Sequence, residues 1–193
     1  MPSQQRCPWC GTSDDYVAYH DSVWGVPEYD SQRLFAMLIL EGQQAGLSWV
    51  TVLRKQQHYY RAFCNLNPGR LAAIQGNRRN AYIAEMLLNK NLIRNKLKLN
   101  AIFKNADAYV ALTEQGVDFS QWLWGFVDGV PVQNQWREHS QVPTQTHTSV
   151  AMAKALKKTG FTFVGPTIMY AFMQATGMVN DHLTHCFRHQ ALS

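Results

Sequence analysis

Cys7, Cys10 and His20 stand near the start of the 193 residues, and His182, His185, Cys186 and His189 near the end. Thiolate and imidazole are the usual donors of a structural zinc ion, which takes four of them at the corners of a tetrahedron. If the stretch from His182 is helical, His182 and Cys186 stand one turn apart on one face, as paired ligands must. Cys7 and His20 could supply the other two donors. Cys10, His185 and His189 are rivals that spacing alone does not separate. Such a site would staple two chain ends that otherwise fray. Cys7-Pro8-Trp9-Cys10 also has the spacing of a thiol redox site. That chemistry needs a strand running into a helix at the first cysteine, and the six residues before Cys7 leave no room for one. Four cysteines are a thin disulfide framework for this length, so free or metal-bound thiols in a reducing compartment are expected.

A second group centres on Glu41. It ends the apolar run Leu34 to Leu40, in helical phase with Leu34, Met37 and Leu38. A carboxylate on that stripe is driven inward, where its charge is costly. Trp9, Tyr16, Tyr19, Trp24 and Trp49 surround it in sequence. Together they could form a slot that sandwiches a flat, electron-poor ring and holds its edge.

These groups need elements to carry them. Asp30 or Ser31 can cap a helix running to about Gln44, and Ser48 begins another through Val52 and Tyr60. Asn67-Pro68-Gly69 breaks the chain. Short helices are expected at about 70–75, 78–88, 94–106, 107–115 and 118–127, with Gly116 as a stop. Residues 129–148 read as an extended surface loop, followed by helices at about 149–158 and 165–176. Strand alternation is scarce, so the fold class is all-α.

Composition bounds the rest. With 46% hydrophobic and 16% charged residues the chain can bury a core and is not disordered. Its longest apolar run is far shorter than the roughly 20 residues of a membrane span. The polar opening Met1 to Arg6 carries no secretory signal, so an intracellular, cytoplasmic protein is expected. The net charge of +5 is unevenly spread: residues 53–104 hold eleven Lys and Arg against the single acid Glu85. A tract of this polarity suggests a polyanion partner, although a solvated helical face has the same composition. Beside an aromatic slot, it points to a nucleobase taken out of a duplex.

The segment Leu40-Glu41-Gly42-Gln43-Gln44-Ala45-Gly46-Leu47-Ser48-Trp49, with Tyr19-His20-Asp21 and Trp24-Gly25-Val26-Pro27 before it, resembles the DNA-3-methyladenine glycosylase I family. Phe161 to Thr167, Phe172-Met173-Gln174-Ala175 and Val179-Asn180-Asp181-His182 extend the resemblance, which runs from about Arg6 to Cys186. It implies an all-helical, helix-hairpin-helix DNA glycosylase-like fold in one unit of two lobes, the middle lobe at about 50–125. One structural zinc per chain would fall on Cys7, His20, His182 and Cys186. Trp49 would stack on a flipped base and Glu41, the acidic group of the reaction, would meet its edge with Tyr19. Trp9, Tyr16 and Trp24 would complete the wall. Leu47 would enter the gap left in the DNA. The implied substrate is double-stranded DNA with alkylated bases, acted on in the bacterial nucleoid by a monomer without strand cleavage. The hairpin, Asn91 to Leu97, has no glycine; Asn91 could take a left-handed turn in its place, with Arg94 and Lys96 facing phosphate. A zinc-stapled DNA-binding module without catalysis is the alternative, though it has no use for Glu41 in an aromatic slot.

Overall fold

A computed structural model describes residues 4–193; Met1-Pro2-Ser3, part of the polar opening, lie outside the described residues. The described residues are helical, as the patterning predicts. In chain order they form α1 (Asp14–Ser22), α2 (Ser31–Gln44), α3 (Trp49–Ala62), α4 (Pro68–Ala72), α5 (Gly76–Met86), α6 (Lys96–Glu114), α7 (Phe119–Trp124), α8 (His147–Lys158), α9 (Pro166–Ala175) and α10 (Phe187–Ala191). Two-residue strands β1 (Val132–Gln133) and β2 (Val179–Asn180) pair in parallel. Among the described residues no helix is long and apolar enough to cross a membrane, and no strand precedes Cys7.

Caps set the helix starts. Asp30 accepts from Arg33 N at 2.8 Å and opens α2. Asn95 accepts from Leu97 N and Lys98 N to open α6, and Thr146 and Ser149 exchange bonds as a capping box at α8. Asn67-Pro68 does more than break the chain: Asn67 caps α4 and Pro68 takes its first turn. The two helices expected on either side of residue 106 are one. Asn105 is buried in mid-helix and accepts from Thr162 N at 2.8 Å while donating to Thr162 O at 3.1 Å. The side chain serves a neighbouring loop and leaves the helix intact.

The main core joins α2, α6, α8 and α9 through side chains such as Leu38, Ile102, Met152 and Phe172. Two smaller clusters lie at the chain ends, one around Cys7, Leu183 and Cys186, the other around Tyr19, Trp24 and Ala175. Gly177 lets them meet. At φ +71°, a Cβ there would stand 2.5 Å from Pro27 N, so only glycine lets the chain leaving α9 press on residues 25–27.

Residues 129–148 run over the surface as expected, tied down where β1 pairs with β2 and Trp136 Nε1 donates to Asp181 at 2.8 Å. Two further expectations are corrected. His182 to Cys186 is not helical but a turn closed by Cys186 N donating to Leu183 O at 2.7 Å, with α10 starting after it. The turn between α5 and α6 forms without a left-handed Asn91, which is not among the residues of positive φ. Asn89 Oδ1 accepts from Asn91 N at 2.9 Å and closes that bend.

Candidate functional site

The helices converge on a cavity of about 260 Å³. Trp9, Tyr16, Tyr19, Trp24, Glu41 and Trp49, the six residues singled out in the sequence, all line it. Trp9 comes from a 3-10 turn, Tyr16 and Tyr19 from α1, Glu41 from the last turns of α2, and Trp49 from the first position of α3. Their rings brace one another. Trp9 lies 5.2 Å from Tyr16 and 4.8 Å from Trp24, and Tyr19 lies 5.4 Å from Trp49.

Two polar atoms in this wall are buried without a hydrogen-bond partner: Glu41 Oε2 and Trp49 Nε1. Such atoms are costly unless a ligand or water completes them. Burial pushes the Glu41 carboxyl up to about 8, so near neutral pH it holds its proton in the free protein. Burial, and then the Glu41 charge, push the Tyr19 hydroxyl well above its ordinary value. The phenol stays a donor. A cationic ring in the cavity would draw Glu41 back towards ionisation.

Sequence reasoning missed part of the cavity lining. Gln174 and Asp181 face the same cavity, beside Gln44, Val142 and Leu183. Asp181 accepts from Asn134, Trp136, Tyr170 and Gln174 at 2.6–2.8 Å. The family-like segments Phe172 to Ala175 and Val179 to His182 contain Gln174 and Asp181, but nothing in their spacing gives either a role.

Cys7, His20, His182 and Cys186 come together in three dimensions, all buried, with donor atoms within 4.8 Å of one another. Cys186 Sγ lies 3.5 Å from His20 Nε2 and 3.6 Å from His182 Nδ1, and Cys7 Sγ lies 3.7 Å from His182 Nδ1. Zinc–sulfur and zinc–nitrogen bonds of about 2.3 and 2.1 Å in a tetrahedron give an S···N edge of about 3.6 Å. The donor set fits that ion. Each imidazole is also oriented from behind: His20 Nδ1 meets Asp21 Oδ1 at 2.7 Å and His182 Nε2 meets Trp24 O at 3.1 Å, which turns the other nitrogen towards the sulfurs, where His20 Nε2 also accepts from Cys7 N at 3.3 Å. Arg6 grips Asp21 at 2.7 Å. The rivals fall away: Cys10 donates to Cys7 O, His189 meets Asn134 O, and His185 is exposed.

Arg94 and Lys96 are exposed at the α5–α6 turn. The basic tract is less uniform than its count suggests. Arg79 is bound to Asp107 and packs over Phe103, and Lys98 is buried. Leu47 is exposed on a turn between Gln44 and Trp49, which both line the cavity.

A family model of methyladenine glycosylases matches residues 9–189. The chain belongs to the methyladenine glycosylase family. Within this family it is 48% identical over 181 residues to the DNA-3-methyladenine glycosylase of Haemophilus influenzae, covering 94% of this chain and 96% of that one. A crystal structure of 3-methyladenine DNA glycosylase I superposes with a TM-score of 0.91 at 50% identity, over 95% of this chain and 98% of that one. A variant of a 3-methyladenine DNA glycosylase I in complex with 3-methyladenine superposes with a TM-score of 0.88 at 35% identity, over 94% and 96%. The methyladenine glycosylase match thus spans the cavity, the basic turn and three of the four metal-type donors, Cys7 lying just before residue 9.

Proposed function

We propose that this protein excises 3-methyladenine from alkylated double-stranded DNA by hydrolysing the N-glycosidic bond, as a monomer and without cutting the strand. The observation that carries this reading is the unpartnered buried Glu41 Oε2 in an aromatic cavity. A flipped purine offers its edge to that carboxyl and its face to Trp49. Alkylation leaves the base with a positive charge in DNA, which aromatic faces and an ionising Glu41 favour over a neutral base.

The bond is already weakened by that charge, so the chemistry asks little of an acid. The N-glycosidic bond breaks, its electron pair leaves with the base and neutralises it, water bonds to the sugar carbon, and the water's proton passes to solvent. Glu41 and Tyr19 orient the base edge while Trp49 stacks on its face. Among the described residues no lysine lines the cavity, which agrees with a reaction that forms no Schiff base.

Leu47 supplies the apolar side chain that fills the space vacated in the duplex, and Arg94 and Lys96 meet backbone phosphates. A zinc ion held by Cys7, His20, His182 and Cys186 would be structural, fastening the N-terminal wall of the cavity to the C-terminal segment. Nucleoid DNA is the expected place of action.

Base release from methylated duplex DNA, resolved by base identity, tests the reading. Glu41→Ala and Trp49→Ala should each slow release of 3-methyladenine by about 100-fold, in the range lost when a positioned polar or stacking group is removed. Wild-type rates in both would refute the cavity as the site.

A further inference from the structure

Lys98 is counted in the basic tract by sequence, yet it is 5% exposed and forms no ion pair among the described residues. Its ammonium donates instead to two backbone carbonyls, Gln43 O and Ala45 O, each at 2.7 Å. Those carbonyls lie at the C-terminal end of α2, where unpaired acceptors and the helix dipole favour a cation. The residues that follow, Gly46, Leu47 and Ser48, make the turn at the cavity rim. Gly46 adopts φ +74°, Leu47 N donates to Gln44 O at 2.6 Å, and Ser48 Oγ meets Thr51 Oγ1 at 2.8 Å.

A chain of hydrogen bonds continues inward from this point. Gln43 Nε2 donates to Lys98 O at 3.1 Å, Tyr59 OH donates to Gln43 Oε1 at 3.1 Å, and Ile93 N donates to Tyr59 OH at 3.1 Å. Ile93 belongs to the turn that exposes Arg94 and Lys96. A continuous polar path therefore joins the rim turn to the basic turn through the core.

We propose that Lys98 is a positioning residue of the reaction: with Gln43 and Tyr59 behind it, it fixes the Ala45–Ser48 turn, and so Leu47, in register with the basic turn that grips the DNA backbone. Two surfaces that meet one duplex must keep a fixed separation if the side chain is to enter the stack where the base has left. Polar groups this deeply buried form a stiff link only when every member is satisfied, as here. The proposal rests on the reading of Leu47 as the residue that enters the duplex.

Single-turnover release of 3-methyladenine from methylated duplex DNA tests it in wild type, Leu47→Ala, Lys98→Met and the double variant. Lys98→Met should slow release by about 10- to 100-fold, the loss expected when a remote change displaces a reacting group by about 1 Å. The double variant should be no slower than the slower single one, because both changes disable the same element. Binding of free 3-methyladenine, followed by tryptophan fluorescence, should be unchanged. The dependence of DNA affinity on salt should also be unchanged, since a buried ammonium releases no phosphate counterions. Should Lys98→Met fail to fold, Gln43→Leu breaks the same path and carries the same expectation against Leu47→Ala. Additive losses, a flattened salt slope, or wild-type rates in both path variants while Leu47→Ala is slow would overturn the proposal. A wild-type rate in Leu47→Ala would remove the reading of the rim turn, and the proposal with it.

Discussion

At the scale of the residue, Glu41 is the most informative position. Its carboxyl titrates near 8 in the folded protein because it is buried, against an ordinary value of 4.5. A raised folded value means the folded state binds the proton more tightly, so the stability this group contributes is fully present below about 4.5 and is lost as pH rises to about 8. At about 1.4 kcal/mol per unit the difference amounts to several kcal/mol at most. Glu41→Gln should remove that dependence. Urea midpoints of wild type and variant, compared at about pH 5 and about pH 8, should differ more at the lower pH in favour of the wild type; parallel behaviour would place Glu41 in contact with water. Glu41 and its aromatic neighbours were legible in sequence because a carboxylate in phase with an apolar helix stripe is itself an anomaly. Asp181 was not, because its place in the cavity wall depends on donors from α9 and from a stretch without periodicity.

At the scale of the element, the turn between α5 and α6 carries Lys90, Arg94 and Lys96, three of the exposed charges of the basic tract. The sequence located the turn but chose the wrong device for it, a left-handed Asn91, when Asn89 closes the bend with its side chain. It also counted as surface two cations that serve the interior, Arg79 against Asp107 and Lys98 beneath α2. Charge counting cannot see which long side chains turn inward, since that is decided by carbonyls and carboxylates brought close only by the fold. The corrected surface makes a sharper prediction. Arg94→Ala and Lys96→Ala should each weaken binding to any duplex and reduce the salt slope by about 1, the loss of one phosphate contact. Arg79→Ala should cost stability and leave the slope alone. Unchanged slopes for Arg94→Ala and Lys96→Ala would put the DNA on another face.

At the scale of the whole molecule, the question is what holds the two ends of the chain together, since the cavity is built from both. Trp9, Tyr16, Tyr19 and Trp24 come from the first 24 residues, while Gln174, Asp181 and Leu183 come from the last 20. Between those walls stand Cys7, His20, His182 and Cys186, with S···N separations of 3.5–3.7 Å. The sequence suggested these four from donor chemistry, although its helical premise for His182 and Cys186 was wrong; a tight turn brings the pair together equally well. A zinc ion there would close a loop of nearly the whole chain, a constraint worth about 5 kcal/mol on the chain-entropy account of cross-links. Purified protein should therefore contain one zinc per chain, and Cys7→Ala and Cys186→Ala should each lose it, whereas Cys10→Ala should keep it. Chelation should lower the melting temperature and the affinity for free 3-methyladenine together, because releasing the N-terminal segment dissolves one wall of the cavity. A loss of stability with base affinity intact would separate staple from cavity, and full zinc occupancy in both Cys7→Ala and Cys186→Ala would move the metal elsewhere.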